Sequence, residues 1–596
     1  MLRKLNFPKV GERFPVLRSR PVRYALDLLL LTVFMVVLSF WLNIRYPIPM
    51  EWSDYATLCI EVPITIGLVA LARHTGLTLR WWAFVLFGAF ALLVRLFETA
   101  DNISHRFLFR DFHVLLDQHL IKEFFRLMYD TSEVNALIGY GAAFATFVIG
   151  SISMVALMLG EVYRRSRFPF FRRAVAALVL VTAGIVISQE LGGPQIYQRE
   201  VSQRVAQEVR HTRHLPKDRK QIRRQIQEVS ERIGHNIFLD KLHGNNVLFI
   251  FVESYGRTAY VTPQQRALLL PRYEAMQKNL ANAGFNVVSD FVTSPTYGGF
   301  SWFAHMTVDT GVRVISHLHS QLLDELHPPA LADRFRDAGY MPVLVMPGTT
   351  RAWAGMDDYY GFREHYFAWQ MGYNGPRYGW APMADQYTMY HIQKEVIEKT
   401  TQPLFLQFAL VSSHAPWNDI PHYIDDWSTI GDGSILHDAG RDSFDTTWEN
   451  PKEIHEGYAA AIAYEMQVME GYLTNFVKDD TLVIFVGDHQ PHQQVTGPDN
   501  LTWSVPIHIA CRNPAFVAPF LRRGYHPGMI PDQPLPHVGM ERFMEEFLSD
   551  FSTEPLAVDP GIWPPIQERL DAEAAERAAQ QQHSTNTATD TAQPLR

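Results

Sequence analysis

Glutamate, aspartate and histidine stand in this chain at the points where strongly apolar runs stop. Asn246-Val-Leu-Phe-Ile-Phe-Val ends on Glu253-Ser254-Tyr255-Gly256-Arg257. Thr481-Leu-Val-Ile-Phe-Val ends on Gly487-Asp488-His489, and Pro403-Leu-Phe-Leu-Gln-Phe-Ala-Leu-Val on Ser412-Ser413-His414. A fourth run, Pro342-Val-Leu-Val-Met, leads to Gly348-Thr-Thr-Arg351-Ala-Trp353. Carboxylate oxygen and imidazole nitrogen converging from separate strands suit Zn²⁺ or Mn²⁺. With only two cysteines in 596 residues, a thiolate zinc module and a disulfide scaffold are excluded. Taken singly, each acid or histidine reads as a cap or a solvated side chain. Four placements at strand ends favour a site, because ligands collect at the carboxyl ends of strands in α/β sheets.

The elements that position these residues follow from pattern. The four runs are continuous and β-rich, as central strands covered on both faces must be. Amphipathic stretches at 328–338 and 453–476 intervene, which predicts an α/β catalytic domain over 241–560. The N-terminal third is different. Apolar stretches at 24–43, 56–73, 81–99, 135–159 and 171–190 are close to the roughly 20 residues that cross a bilayer, so 1–191 is expected to form a five-helix transmembrane bundle. No small-residue cleavage site follows the first stretch, so it does not read as a removable signal. Arginine and lysine gather before the first stretch, around Arg73 and Arg80, and between Arg164 and Arg173. The positive-inside rule puts those clusters in the cytoplasm and everything after about residue 192 outside it. The large domain is then expected to face the periplasm or the exterior, beyond a membrane crossed several times.

Glu61 and Arg95 lie at similar depth near the outer ends of their spans, which suggests a helix-fixing pair or, alternatively, a pocket facing lipid headgroups. The 113–128 stretch has helical apolar spacing and suits an interfacial or a packed extramembrane helix. Residues 192–240 form a charged connector. Residues 561–596 read as a frayed helix and a disordered tail. A net charge of −9 argues against a nucleic-acid partner.

The strand ends carry a family resemblance. Phe-Val-Glu253-Ser, Ser-His414 and Val-Gly-Asp488-His489-Gln-Pro resemble the membrane sulfatase-like group of the alkaline phosphatase superfamily, which includes lipoteichoic acid synthases, phosphoglycerol transferases and lipid A phosphoethanolamine transferases. The likeness covers about 240–550 and extends to the five-span anchor. It implies an alkaline-phosphatase/sulfatase-like α/β sandwich with one divalent metal ion, Zn or Mn, held by Glu253, Asp488, His489 and a nucleophile. Sulfatase-like sequences place that nucleophile at a helix start, ten positions before a Gly or Ser. Ser301, with Gly311 ten residues on, fits; Thr296 is the runner-up, because most family transferases use threonine. A helix start also offers unpaired N–H groups to phosphate.

The resemblance further implies a transferase that moves a phospho-headgroup from a phospholipid donor to an envelope glycan or glycolipid through phospho-Ser301. His414 would contact the headgroup or protonate a leaving oxygen, and Arg257, Arg351 and Trp353 would line the substrate pocket. Two departures bear on the substrate. Ser301 is followed by Trp302-Phe303-Ala304-His305 rather than the Pro and Arg that accompany formylglycine formation, which disfavours sulfate esters. Phosphoethanolamine enzymes are disulfide-rich and this chain is not, which favours phosphoglycerol. The alternatives are a phosphoethanolamine transferase, an extracytoplasmic phosphodiesterase or sulfatase-like hydrolase using the same site, and a catalytically inactive envelope protein.

Overall fold

The computed structural model of the chain describes residues 19–44, 57–108, 110–131, 134–194, 196–198, 200–234, 238–352, 360–447, 450–477, 479–497, 502–531 and 537–553. It divides into two compact units, Met1–Lys217 and Asp218–Arg596. The tail expected at 561–596 lies outside the described residues.

The first unit is helical: α1 (Arg20–Asn43), α2 (Glu61–His74), α3 (Trp81–Leu108), α4 (Val114–Thr131), α5 (Val134–Arg165) and α6 (Pro169–Glu190), followed by the start of α7 (Glu200–Ile233). Four of them, α1, α3, α5 and α6, are long and apolar enough to cross a bilayer. The second expected span differs. Its first residues form β1 (Leu58–Cys59), which pairs in parallel with β2 (Tyr197–Gln198), and the helix that follows has 14 residues. At 1.5 Å per residue it reaches about 21 Å, short of a hydrocarbon core of about 30 Å.

Leu31, Ile66, Leu159, Val162 and Phe171 pack inside the unit, while Leu29, Leu68, Leu93, Leu157 and Leu180 point outward. Apolar side chains on the outside suit a hydrocarbon solvent. Glu61 and Arg95 take different partners. Glu61 accepts from the backbone N and the Oγ of Ser202 at 2.9 and 2.8 Å, and Arg95 bonds the Ile44 carbonyl and lies 3.9 Å from Glu98. The 113–128 stretch is helical within α4.

The second unit is built on one sheet. In chain order its strands are β3 (Val247–Val252), β4 (Asn286–Thr293), β5 (Met341–Met346), β6 (Glu364–Phe367), β7 (Leu404–Ala409), β10 (Leu482–Gly487), β11 (Ser504–Cys511) and β12 (His526–Pro527), with β8 (Asp419–Pro421) and β9 (Arg441–Ser443) forming a separate ribbon. The spatial order is β12-β4-β11-β10-β3-β7-β5-β6. β10, β3, β7, β5 and β6 are parallel, whereas β11 runs antiparallel to both β10 and β4. β4 therefore runs with the parallel set, and the C-terminal ends of β3, β4, β5, β7 and β10 share one edge.

Every residue of β3 and β10 is buried, and alternate side chains serve opposite layers. Leu248, Ile250, Val483 and Phe485 pack with α8 (Pro263–Asn282), α10 (Asp385–Glu395) and α11 (Pro451–Phe476). On the other face Phe249 meets Phe543, Phe251 meets His305 of α9 (Ser301–Thr310), and Phe405 stacks on Phe335, with ring centroids 4.9, 4.2 and 4.0 Å apart. Helices thus cover both faces. Each such buried side chain contributes about 1.5–3 kcal/mol, and this anchors the strand ends.

β4 and β11 are not among the strands that the apolar runs pick out. Ser289 and Asp290 interrupt the first, and Pro506 and His508 the second. Those polar groups are accommodated by pairing: His508 Nδ1 lies 2.6 Å from Ser289 Oγ on the neighbouring strand.

Candidate active site and metal centre

Glu253 directly follows β3, and Asp488-His489 directly follows β10, the strand beside it. The two strand ends are locked closely. A Cβ on Gly487 would lie 1.8 Å from the Tyr255 carbonyl oxygen, so only glycine permits this approach. Asp488 Oδ1 accepts from the N–H groups of Ser254 and His489 at 2.8 and 2.6 Å. Ser254 holds a left-handed backbone (φ 55) while its Oγ donates to Glu253 Oε1 at 2.9 Å. A second left-handed residue, Phe300 (φ 59), precedes Ser301 at the start of α9. Non-glycine residues in this region cost about 1–3 kcal/mol each and cluster at functional sites.

These constraints gather four side chains. Ser301 Oγ donates to Glu253 Oε2 at 2.9 Å and lies 3.2 Å from His489 Nε2. His489 Nε2 is 3.2 Å from Glu253 Oε1 and 3.8 Å from Asp488 Oδ2. His489 Nδ1 donates to the Gln490 carbonyl at 2.8 Å, so Nε2 is the nitrogen directed at the cluster and the one a cation there would meet. One donor atom each from Glu253, Asp488 and His489 falls within 4.8 Å of the others.

All three residues are buried. Burial and the Glu253 charge push Asp488 up. Burial pushes Glu253 the same way, but His414 and His489 outweigh it and hold that carboxyl well below the usual range. Burial disfavours the charged form of His489, yet Asp488 and Glu253 draw it up to about 9. Two carboxylates forced together out of water call for a cation. Two hard oxygen donors, an imidazole lone pair and a serine oxygen fit a divalent ion of the zinc or manganese type.

The remaining sequence-derived residues separate. Thr296 is buried, but its Oγ1 donates to the Gly299 carbonyl at 2.6 Å, closing a turn rather than joining the cluster. His414 does lie beside it. Its loop is tied to Glu253 by a bond from Ser413 Oγ to the Glu253 carbonyl at 2.7 Å, and its Nδ1 meets the Ala415 carbonyl at 2.5 Å, leaving Nε2 available. The Arg257 guanidinium sits over the Phe291 ring at 5.5 Å. Arg351 is exposed, and Trp353 lies outside the described residues.

The aromatic partner that sequence reasoning missed is Trp380, stacked on His414 with centroids 4.0 Å apart and rings 18° from parallel. Gly348 admits it: a Cβ there would lie 3.1 Å from the indole and 3.0 Å from Val411. Trp380 sits in a turn bounded by the isolated Tyr378–Ala381 bridge, far in sequence from any apolar run, so no periodicity marked it.

Residues 245–517 match the Sulfatase family, a span that contains Glu253, Ser301, His414, Asp488 and His489. Among solved structures, the lipoteichoic acid synthase LtaP of Listeria monocytogenes is 16% identical, with 55% of this chain and 79% of that one covered and a TM-score of 0.35. The phosphoglycerol transferase GacH of Streptococcus pyogenes, solved with sn-glycerol-1-phosphate, is 14% identical, covering 59% and 89% at a TM-score of 0.35. The periplasmic domain of Escherichia coli EptC, in complex with Zn, is 13% identical, covering 53% and 84% at 0.36. No curated protein matches significantly.

Proposed function

We propose that this chain, whose residues 245–517 form a sulfatase-family domain, is a membrane-anchored, metal-dependent phosphotransferase that acts on a phospholipid headgroup outside the cytoplasm. The observation that carries this reading is the Ser301 hydroxyl, held at a helix start within 2.9 Å of Glu253 and 3.2 Å of His489.

Glu253, Asp488, His489 and Ser301 would hold one divalent ion, which supplies Lewis-acid stabilisation of charge on phosphate oxygens and lowers the pKa of the serine hydroxyl. Ser301 Oγ attacks phosphorus, forming a P–O bond while its O–H bond breaks; Glu253 Oε2, which already accepts that hydrogen bond, takes the proton and returns it to Oγ when Ser301 is displaced. The N–H groups of Ser301 and Trp302, at the start of α9, would face the developing negative charge, the next one being taken by the Phe300 carbonyl. His414, pinned through Nδ1, presents Nε2 to protonate the departing diacylglycerol oxygen and then to take the proton from the acceptor hydroxyl that displaces Ser301. Trp380 stacks behind the imidazole and fixes its plane. Phosphoglycerol is the favoured headgroup and an envelope glycan or glycolipid the acceptor. Both cysteines, Cys59 and Cys511, are free and buried, in keeping with a departure from the disulfide-rich phosphoethanolamine enzymes.

The test is intact-mass analysis of the full chain, loaded with Zn²⁺ or Mn²⁺ and incubated with phosphatidylglycerol vesicles. A phosphoglycerol adduct on Ser301, absent from Ser301→Ala, is the expected result. An adduct on another residue, or none with either metal and with phosphatidylethanolamine as well, overturns it. Steady release of glycerol phosphate without an acceptor identifies a hydrolase.

A further inference from the structure

Behind the His414 loop, two acidic side chains meet where water does not reach. Asp385 is the first residue of α10, and its preceding residue, Ala384, offers no side chain to cap the helix. The Asp385 carboxylate turns back towards the end of β7. Its Oδ2 accepts from the N–H groups of Val411 and Ser412 at 2.6 and 2.5 Å, while its own N–H donates to Ser412 Oγ at 2.9 Å. The next residue along, Ser413, donates through Oγ to the Glu253 carbonyl, and its own carbonyl accepts from Trp417 Nε1 at 2.6 Å. The His414 N–H closes the turn on the Val411 carbonyl at 3.0 Å. The loop that presents His414 is thus fastened to Glu253 on one side and to Asp385 on the other.

Glu465 approaches Asp385 from the middle of α11. Both residues have no exposed surface. Neither oxygen of Glu465, nor Asp385 Oδ1, receives a hydrogen bond from any N–H or hydroxyl among the described residues, and the two carboxyls interact with each other. Two carboxylates in such a place repel; a carboxylic acid and a carboxylate attract. The proton has one favoured home. Asp385 has two backbone donors that stabilise its anion, and Glu465 has none. Burial raises both groups, and for Glu465 the adjacent Asp385 charge adds to burial and holds it well above the ordinary carboxyl range.

We propose that Glu465 and Asp385 form a proton-sharing carboxyl pair that positions the His414 loop, with Glu465 as the permanent donor and Asp385 as the anchor for Val411 and Ser412. Both are positioning residues acting through His414, and their kinetic effect rests on the role given to His414 above; their structural effect does not. The assignment is directional. A glutamine at 465 still donates to Asp385 through its amide nitrogen. An asparagine at 385 loses the charge that holds two N–H groups and brings a second donor towards Glu465.

The experiment uses the full chain in detergent micelles and compares wild type with Asp385→Asn, Glu465→Gln and Glu465→Ala. Hydrogen exchange is followed at 410–414 and turnover with phosphatidylglycerol, with bound metal and thermal unfolding measured alongside. In Asp385→Asn the loop amides exchange at least about tenfold faster while α11 keeps its protection. Its kcat falls by about 10²-fold with KM for lipid little changed, because a loop displaced by about 1 Å misplaces the proton donor. Glu465→Gln stays within about threefold of wild type in exchange and turnover, and Glu465→Ala does not. Wild-type loop protection in Asp385→Asn, or Glu465→Gln as damaged as Glu465→Ala, overturns the pair. If wild type turns over no phospholipid, the function proposed above fails, and the exchange pattern still decides the pair by itself.

Discussion

Ser301 and Thr296 are five residues apart in one segment, and their hydroxyls have different fates. Thr296 Oγ1 is engaged with the Gly299 carbonyl inside a turn, whereas Ser301 Oγ lies between a carboxylate and an imidazole. If Ser301 is the nucleophile proposed above, Ser301→Ala is expected to lower turnover by about 10³-fold or more while leaving Glu253, Asp488 and His489 in place. Thr296→Ala, which removes one turn-closing hydrogen bond worth about 1 kcal/mol, keeps most activity. Kinetics of the two variants at matched metal occupancy check this, and the reverse order would move the nucleophile to Thr296. Metal linkage gives a second expectation at this scale. An ion that binds only the folded chain adds about 2.7 kcal/mol at one hundred times its Kd. Adding Zn²⁺ or Mn²⁺ to chelator-treated protein should raise its melting temperature, and Asp488→Asn should abolish that rise. The sequence made Glu253, Asp488, His489 and His414 visible because each ends an unbroken apolar run. It could not make Asp385, Glu465 or Trp380 visible, since isolated acids in amphipathic helices resemble a solvated face and a tryptophan in a turn resembles loop packing.

At the scale of elements, the parallel strands were legible and the antiparallel pair was not, for a reason that His508 illustrates. It sits fully buried in the middle of β11, and a buried histidine breaks the apolar run by which strands were recognised. Ser289 Oγ donates to the Gly528 carbonyl, so His508 Nδ1 must be the donor to Ser289 Oγ. Its Nε2 then carries the lone pair and accepts from the Tyr255 hydroxyl at 3.2 Å, while the Tyr260 hydroxyl, 3.3 Å away, donates to the Met529 carbonyl. The ring is held neutral by its burial, which pushes His508 down to about 3. A histidine whose folded pKa lies below its unfolded value leaves stability intact above about pH 6.5 and erodes it as pH falls, because the unfolded chain takes up the proton first. Between pH 7 and pH 5 this one group removes about 2 kcal/mol. Chemical denaturation at those two pH values, in wild type and His508→Gln, should show a smaller loss in the variant; equal losses would mean that His508 titrates normally.

At the scale of the whole molecule, 47% hydrophobic residues and a net charge of −9 describe neither part. One unit turns leucine and valine outward; the other buries its sheet and presents acids at one edge. Among the described residues four helices are long and apolar enough to span a bilayer, and α2, at 14 residues, is the element on which topology turns. An even number of crossings would return the second unit to the side of the N-terminus, whereas an odd number separates them. Helix length alone favours four. The arginine distribution favours five, because Arg73 and Arg80 bracket the turn after α2 while Arg164, Arg165 and Arg167 flank the one before α6. A short helix is tolerated by local thinning of the bilayer at fractions of a kcal/mol per Å, less than the penalty of placing these basic turns on the wrong side. We therefore expect five crossings. Native Cys59 and Cys511 are buried and should label poorly, so single cysteines can report the sides. In intact spheroplasts, a membrane-impermeant maleimide should label Lys278→Cys on α8 at once, and Arg167→Cys in the turn before α6 only after permeabilisation. Labelling of both would reject five crossings, whereas labelling of Arg167→Cys alone would leave the second unit without access to an outer lipid donor, and the proposed transfer would fall with it.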